Sequence, residues 1–323
     1  MKSFFSTNLN PAGLLTALAA VLGCFTLTGF MASAGWLFEL TAHFRVQYAA
    51  SFALLMLTLA CLRRRMAALC CGAGMLVNLA IVLPLYFGGN ATAPVDASRL
   101  RLMVVNVNSS NPSADSVRAL IDARAPALVL FMEVNDRWME LLSPLHDHYP
   151  HRIRAPREDN FGIALFSRLP LEGTRVISPG DAGVPSIRTQ VRVAGTEMLL
   201  LGTHPLPPGS AEYARLRNGQ LKAVAELMRD APRPAVLIGD LNTTPWSPHF
   251  RQLIETGGLV NSAQGHGIQP TWPAGFWPAR IPIDHVLVSP DIAVLDREVG
   301  DPIGSDHLPL IVELGIPAKG VSQ

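Results

Sequence analysis

The chain has 323 residues, 49% of them hydrophobic, and a mean hydropathy of +0.27, higher than a wholly water-soluble enzyme carries. Its formal net charge is +1, so the totals give no basic face of the kind that binds nucleic acid. Its four cysteines, Cys24, Cys61, Cys70 and Cys71, all lie in or at the ends of apolar runs without metal-site spacing to a histidine, which excludes a disulfide framework in the polar part of the chain.

Residues 11–87 are almost free of charge and contain three apolar runs, 12–34, 46–62 and 66–87. Each is close to the roughly 20 residues that a helix needs to cross about 30 Å of hydrocarbon. Residues 1–90 are therefore expected to be a membrane region of three transmembrane helices. A cleavable signal peptide does not account for the first run, because two more runs follow it. Buried helices of a soluble bundle rarely stay uncharged for so long. Arg63, Arg64 and Arg65 form the one basic cluster of this region. Positive loops are retained on the cytoplasmic side, which puts Lys2 there as well and leaves the loop from Glu39 to Arg45 and everything after residue 87 outside. The expected location is an integral protein of a bacterial inner or plasma membrane, with its polar domain in the periplasm or outside the cell.

Gly88, Gly89, Asn90 and Pro94 mark a linker, residues 91–98, because glycine and proline interrupt periodic structure. Residues 99–316 form the expected catalytic domain and 317–323 a tail. Apolar runs of strand length recur at 100–107, 127–132, 161–166, 187–193, 197–203, 235–238, 283–288 and 308–314. Several are too continuously apolar to have a wet face, so other layers must cover them on both sides. Ser113 and Ser210 are placed to cap amphipathic helices, the first running to Ala123, the second carrying Leu216, Leu221, Val224, Leu227 and Met228 at helical spacing. Strands, hairpins and helices in this order predict an α/β fold, a layered sandwich rather than an alternating parallel sheet. From residue 90 onward 21 Lys and Arg face 24 Asp and Glu, again without a basic surplus.

Residues that bind metals or move protons stand at the ends of these strands. Asn106 closes the first, Glu133 the second and His204 follows Leu-Gly-Thr; Asp240 and Asn242 close Leu-Ile-Gly-Asp-Leu-Asn, Asp284 and His285 open a later strand, and Asp306 and His307 lie in Gly-Ser-Asp-His-Leu. Hydrolysis of a phosphate ester needs a deprotonated water in line with the leaving oxygen and relief of charge on the phosphoryl oxygens. A hard divalent cation on oxygen ligands does the second, and Glu133 is the carboxylate expected to hold it. His307 titrates near neutrality and is the expected general base once its other nitrogen is held.

Taken in order, these segments resemble the endonuclease/exonuclease/phosphatase superfamily, with its deoxyribonuclease I-like fold, over residues 99–315. That group includes pancreatic deoxyribonuclease, apurinic/apyrimidinic endonucleases, inositol-polyphosphate 5-phosphatases and bacterial neutral sphingomyelinases. The resemblance implies a four-layer α/β sandwich, two mixed β-sheets flanked by helices, behind the three transmembrane helices. It implies a Mg²⁺ site, or one for Mn²⁺, with Glu133, Asn106 and Asp306 about the metal, and Asp284 as the partner that orients His307. Asp240 is expected at the attacking water or phosphate, the Asn242 amide at a phosphoryl oxygen, and His204 at the phosphate or leaving group. Asn108 stands where some relatives carry an acidic residue. Asn160 and Arg168, bracketing Phe-Gly-Ile-Ala-Leu-Phe-Ser, resemble the central segment that lines the phosphate pocket.

Other residues have plainer expectations. His285 supports its strand, and His146, His148 and His151 are read as solvated. Trp272, Phe276 and Trp277, in a Pro-rich loop before Asp284, either cover one end of the core or grip an apolar substrate or the membrane interface. The expected activity is that of a membrane-anchored phosphodiesterase or phosphomonoesterase whose phosphate-ester substrate, lipid or nucleic acid, the sequence leaves open, with anchoring near the headgroups favouring a lipid phosphate. The alternatives are a periplasmic or cell-surface nuclease and an inactive membrane scaffold. The sequence implies no protein partner.

Overall fold

The computed structural model describes residues 10–89 and 97–318; most of the expected linker, Lys2 and the end of the tail lie outside the described residues. The chain divides into two compact units, Met1–Pro84 and Leu85–Gln323.

In the first unit, helix α1 is Pro11–Thr28 and continues as 3-10 turns through Gly29–Ala34; α2 is Trp36–Ala42, α3 Arg45–Cys61 and α4 Arg65–Val82. Asn10 caps α1 by accepting from the Ala12 amide, and Pro11 occupies the first helical position, where its missing N–H costs nothing. Pro11–Ala34 and Arg65–Tyr86 are each long and apolar enough to cross a bilayer; the pair α2 and α3, bent by 60°, makes a third span only if the two count as one broken crossing. The expected middle run is thus the shorter α3. Tyr48, Phe52, Leu55 and Leu59 of α3 pack with Ala68 and Cys71 of α4, whereas Leu14, Leu18, Leu54, Leu57, Met66, Leu69 and Leu76 point outward, the arrangement that apolar surroundings favour.

The second unit runs β1 (Ser98–Asn106), α5 (Ala114–Arg124), β2 (Leu128–Met132), α6 (Asp136–Leu141), β3 (His151–Ala155), β4 (Ile163–Ser167), β5 (Leu171–Ile177), β6 (Ser186–Val193), β7 (Thr196–Thr203), α7 (Ala211–Arg229), β8 (Ala235–Asp240), α8 (Pro248–Gly257), β9 (Val260–Asn261), β10 (Asp284–Val288), β11 (Ala293–Val299) and β12 (Leu310–Ile316). Two six-stranded sheets result, ordered β11-β12-β1-β2-β4-β3 and β5-β6-β7-β8-β10-β9. Among the described residues only β1 with β2 and β7 with β8 pair in parallel. Both pairs need a crossover, and α5 and α7 supply it.

Period-two alternation explains the continuously apolar strands. Leu100, Leu102 and Val104 of β1 face the second sheet in the central core with Leu130, Leu200, Val236 and Val286. Met103 and Val105 face the other way, onto Val117 and Ile121 of α5 and Trp138 of α6. On the far side Leu199, Leu201 and Leu237 pack on Leu221, Val224 and Met228 of α7 and on Phe250 and Leu253 of α8. The result is the four-layer sandwich, helices outside two mixed sheets. Ser210 caps α7 by accepting from the Tyr213 amide, while Ser113 stands at the start of α5 without a side-chain capping bond.

Candidate active site

Strand polarity brings the polar residues to one rim. β1 and β2 run parallel, so Asn106 and Glu133 leave the first sheet at the same end, and β7 and β8 do likewise with His204 and Asp240. β10 runs back against β8 with Asp284 opposite Asp240. β12 runs against β1 with Leu310 opposite Val104, so Asp306 and His307 arrive at that rim just before their strand begins.

The side chains then meet. The Asn106 Nδ2 donates to Glu133 Oε1 at 2.9 Å and to Asp240 Oδ2 at 3.3 Å. The Asp240 Oδ2 also lies 3.5 Å from His204 Nε2 and 3.6 Å from His307 Nε2. The His307 Nδ1 is 2.9 Å from Asp284 Oδ2. Asn106, His204, Asp240, Asp284 and His307 are all buried, and Glu133 is half-buried. Asp306 is exposed, and its two oxygens accept from Asn108 Nδ2 at 2.8 Å and Trp272 Nε1 at 3.1 Å. Asn108 therefore holds the Asp306 carboxylate, which an acidic residue there would repel.

Backbone strain collects here. Of the seven described non-glycine residues with positive φ, Asn108, Glu133, Asn160 and Asn242 lie at this rim. Asparagine adopts that conformation more readily than glutamate, so Glu133 is held in a backbone state that its residue type disfavours, as at many functional sites. Gly239 has φ +149°, and a Cβ there would sit 1.8 Å from the Thr203 carbonyl oxygen. Only glycine lets β8 pass β7 that closely just before Asp240.

The electrostatics follow from burying several carboxylates with two imidazoles. Burial opposes a charged His307, yet the Asp284 and Asp240 carboxylates outweigh it and hold the imidazole up at about 10. Burial likewise pushes Asp284 up, so the dyad keeps one proton along its hydrogen bond well above neutral pH. Burial opposes charge on His204 too, but Asp240 and Glu133 raise it. The Asp240 carboxylate is lowered despite burial, by His307 and His204. Burial raises Glu133 against the pull of His204 and Asn106.

Two groups of side chains have the chemistry for a cation. Asp240, Asp284 and His307 each bring one ligand atom within 4.8 Å of the others, but His307 Nδ1 and Asp284 Oδ2 already satisfy one another. The Glu133 carboxylate is partly open and its charge is opposed by burial, so it fits a hard cation that keeps several waters and takes one or two carboxylates. Asp306 is tied to the same rim through Asn108, whose amide N–H donates to Asn106 Oδ1 at 3.1 Å. The Asn106 amide thus turns its nitrogen to the two carboxylates and acts as a bracket between them, beside the carboxylate expected to hold the metal.

The remaining expected residues divide. Asn160 is at the rim, where its Oδ1 accepts from the Ser109 hydroxyl, and neighbouring Phe161 stacks 5.6 Å from the His204 ring. Asn242 spends its Nδ2 on the Pro205 carbonyl at 3.0 Å, while its amide N–H donates to Asp240 Oδ1 at 2.9 Å. It shapes the Asp240 loop, with one of its two side-chain amide hydrogens engaged by Pro205. Arg168 is at the opposite end of the sheet: β4 begins beside Met132 and ends beside Leu128, the Arg168 amide N–H donates to the Ala127 carbonyl, and its guanidinium lies 5.1 Å over the Tyr149 ring. Strand direction thus overturns its expected place in a phosphate pocket. His285 packs 4.5 Å from the Phe250 ring with its Nε2 at 2.8 Å from the Thr243 carbonyl, and burial takes it down to about 3. His146 is not simply solvated, since its ring lies 5.8 Å from Phe166.

Three supporting residues escaped the sequence. The Ser305 Oγ donates to the Asn106 carbonyl at 2.8 Å and accepts from the His307 amide at 3.1 Å. Buried Arg217 of α7 donates to the Asn242 carbonyl at 2.8 Å. Trp272 holds Asp306. Ser305 had a signal in standing beside Asp-His, and Trp272 stood out only as a loop aromatic; the partners of Arg217 and Trp272 are 25 and 34 residues away.

The Endonuclease/Exonuclease/phosphatase family matches residues 103–307. Among solved structures, the endonuclease/exonuclease/phosphatase from Beutenbergia cavernae DSM 12333 is similar, with 25% identity over 70% of this chain and 73% of that one and a TM-score of 0.56. The corresponding protein from Bacteroides vulgatus shares the fold at 18% identity, covering 68% of this chain and all of that one (100%), with a TM-score of 0.57. So does D. rerio TDP2 complexed with a single-strand DNA product, at 17% identity, 68% and 99% coverage and a TM-score of 0.56. No curated protein matches the chain.

Proposed function

The chain belongs to the endonuclease/exonuclease/phosphatase family, and from that premise we propose that it is a membrane-anchored, Mg²⁺-dependent phosphoesterase, with Mn²⁺ as an alternative cofactor, acting on a lipid phosphate. The observation that carries this reading is the Asp284–His307 pair, 2.9 Å apart, facing Asp240 beside the partly open Glu133. Glu133, with Asp306 nearby, would hold the cation, which when bound supplies the positive charge that phosphoryl oxygens need as the ester opens.

The chain's own groups do the rest. Asp284 fixes the His307 ring so that Nε2 faces the site; Nε2 takes a proton from water as its oxygen bonds to phosphorus. His204, whose protonated form its carboxylate neighbours favour, gives a proton to the oxygen that leaves as the old P–O bond breaks. Asp240 accepts from the attacking water and stabilises both imidazoliums. For His307 to start neutral, the site has to gain positive charge elsewhere, which is the electrostatic reason that the reading includes a cation.

Two apolar helices, or three with the bent pair, support membrane anchoring, and the Arg63, Arg64 and Arg65 cluster supports an outward-facing domain. A reporter fused after Gln323 that is active only in the cytoplasm would reverse that topology. The main test is turnover of a generic diester and a generic monoester phosphate by the purified full chain. Turnover that requires Mg²⁺ and stops with EDTA is expected; no turnover of either compound overturns the reading. A nuclease is the second reading, favoured by the fold shared with a protein seen with a single-strand DNA product. Release of nucleotides without lipid turnover would make it primary.

A further inference from the structure

The loop between α8 and β10 carries an aromatic tip that the reaction does not use. Its stem is closed by Trp272 and Ile281, which exchange backbone hydrogen bonds of 3.1 and 2.6 Å. The stem is bolted to the site: the Leu308 N–H donates to the Thr271 carbonyl at 2.9 Å, the Ala274 N–H to the Asp306 carbonyl at 2.7 Å, and Trp272 Nε1 to Asp306 Oδ2 at 3.1 Å. The tip is braced internally, with Arg280 donating to the Pro273 and Ala274 carbonyls. Yet at its apex Phe276 is 61% and Trp277 77% exposed. They do not cover the core, so one of the two expectations for these aromatics falls.

A second observation says what covers them. Among the described residues from Leu85 onward, the four most exposed large hydrophobic side chains are all aromatic: Tyr86, Phe87, Phe276 and Trp277. Tyr86 ends the apolar stretch Arg65–Tyr86 that is long enough to span a bilayer, so Tyr86 and Phe87 stand where a chain leaves hydrocarbon, the level at which aromatic rings collect. The Leu85 carbonyl accepts from the Gly265 and Gly267 amides, both at 2.9 Å, and the stem of the aromatic loop begins at Thr271, a few residues later. Within the second unit, the segment 265–267 therefore holds Leu85, the first residue of that unit, beside the stretch of chain that leads into the loop. A rigid tip loses little conformational entropy on docking.

We propose that the 273–280 tip is a lipid-docking element: Phe276 and Trp277 enter the boundary between headgroups and acyl chains, and the ester that reaches Asp240 and His307 is the phosphate of a lipid in that layer. The second half rests on the phosphoesterase reading above; the first does not.

The test uses the full chain in phosphatidylcholine–phosphatidylglycerol vesicles, with phosphatidylcholine brominated near the top of its acyl chains as quencher. Of the five tryptophans, Trp277 is isolated as the difference between the unaltered protein and Trp277→Phe. Quenching of that difference signal by about half is expected, and an unquenched signal overturns the docking. Quenching by a single-stranded oligonucleotide in place of brominated lipid overturns it in favour of a stacked base. For the substrate, the ratio of phospholipid turnover to soluble diester turnover is expected to fall at least tenfold in Phe276→Ser/Trp277→Ser, and an unchanged ratio overturns that half. Quenching without turnover of any phosphate keeps the docking and rejects the phosphoesterase.

Discussion

His307 Nδ1 and Asp284 Oδ2 lie 2.9 Å apart although they come from different sheets, Asp284 opening β10 in one and His307 preceding β12 in the other. The pair is a clamp across the open end of the sandwich as well as the proposed catalytic dyad. Loss of either member is expected to cost more than one hydrogen bond. In His307→Ala, kcat for a generic diester should fall by about 10³ to 10⁴, and in Asp284→Asn by about 10², with the double variant no worse than His307→Ala because the two act as a unit. Steady-state kinetics of the three proteins checks this; additive losses would show that the residues act separately.

The dyad also makes stability depend on pH. The folded protein keeps a proton on His307 up to about 10, whereas an unfolded histidine releases it near 6.5. The favourable contribution is complete below about 6.5 and is lost as pH rises toward 10, since the folded state binds the extra proton throughout that window. In EDTA, stability should fall by up to about 1.4 kcal/mol per pH unit there. His307→Gln should flatten that slope, and so should Mg²⁺ if it replaces the proton as the balancing charge. Denaturant unfolding at several pH values gives the answer, and an equal slope in His307→Gln would remove this residue as its source.

Glu133 is expected to dominate cation affinity. Glu133→Gln preserves the shape of the side chain and its bracket to Asn106 but removes the charge, so Mg²⁺ affinity should fall by more than about tenfold, with part of the activity returning at high Mg²⁺. Asp306→Asn, at an exposed carboxylate held by Asn108 and Trp272, should weaken binding less. Calorimetric titration with Mg²⁺ ranks the two variants, and a larger effect in Asp306→Asn would move the centre of the site toward that residue.

Arg168 separates sequence position from spatial position. It stacks on Tyr149 at the end of β4 remote from Glu133, so Arg168→Ala should leave kcat/KM within about twofold and cost about 0.5–1 kcal/mol of stability from the lost cation–π contact. Gly239→Ala should behave in the opposite way. Its new Cβ would collide with the Thr203 carbonyl where β7 and β8 deliver His204 and Asp240, costing at least about 2 kcal/mol and most of the activity together. Melting curves and kinetics on both variants check the contrast.

The expected eight strands of the second unit all form, because each is central and carries the apolar residues that two flanking layers demand. The four strands without a recognised signal, β3, β5, β9 and β11, are the four sheet edges. Their burial is patchy, β5 being mostly exposed or half-buried and β9 only two residues long, so their side chains never had to follow an apolar pattern. The site was legible for a related reason. Asn106, Glu133, His204, Asp240, Asp284 and His307 interrupt strongly apolar runs, and a polar residue at such a place needs a partner once it is buried. Arg168 stood at an equally visible strand end, but at the wrong one, and the pattern along one strand does not say which end joins the rim.

What the sequence determined by itself is therefore whatever is written in local periodicity and in polar residues at apolar strand ends: the apolar N-terminal runs, the central strands and the residue types of the proposed phosphoesterase site. Tertiary structure alone decided which strand ends share a rim, that Asn106 brackets carboxylates, that Ser305, Arg217 and Trp272 hold the site, and that Phe276 and Trp277 stand exposed. The physical reason is that strand direction and side-chain partnership are fixed by contacts between segments distant along the chain, and spacing along one segment carries no record of which distant segment it will meet.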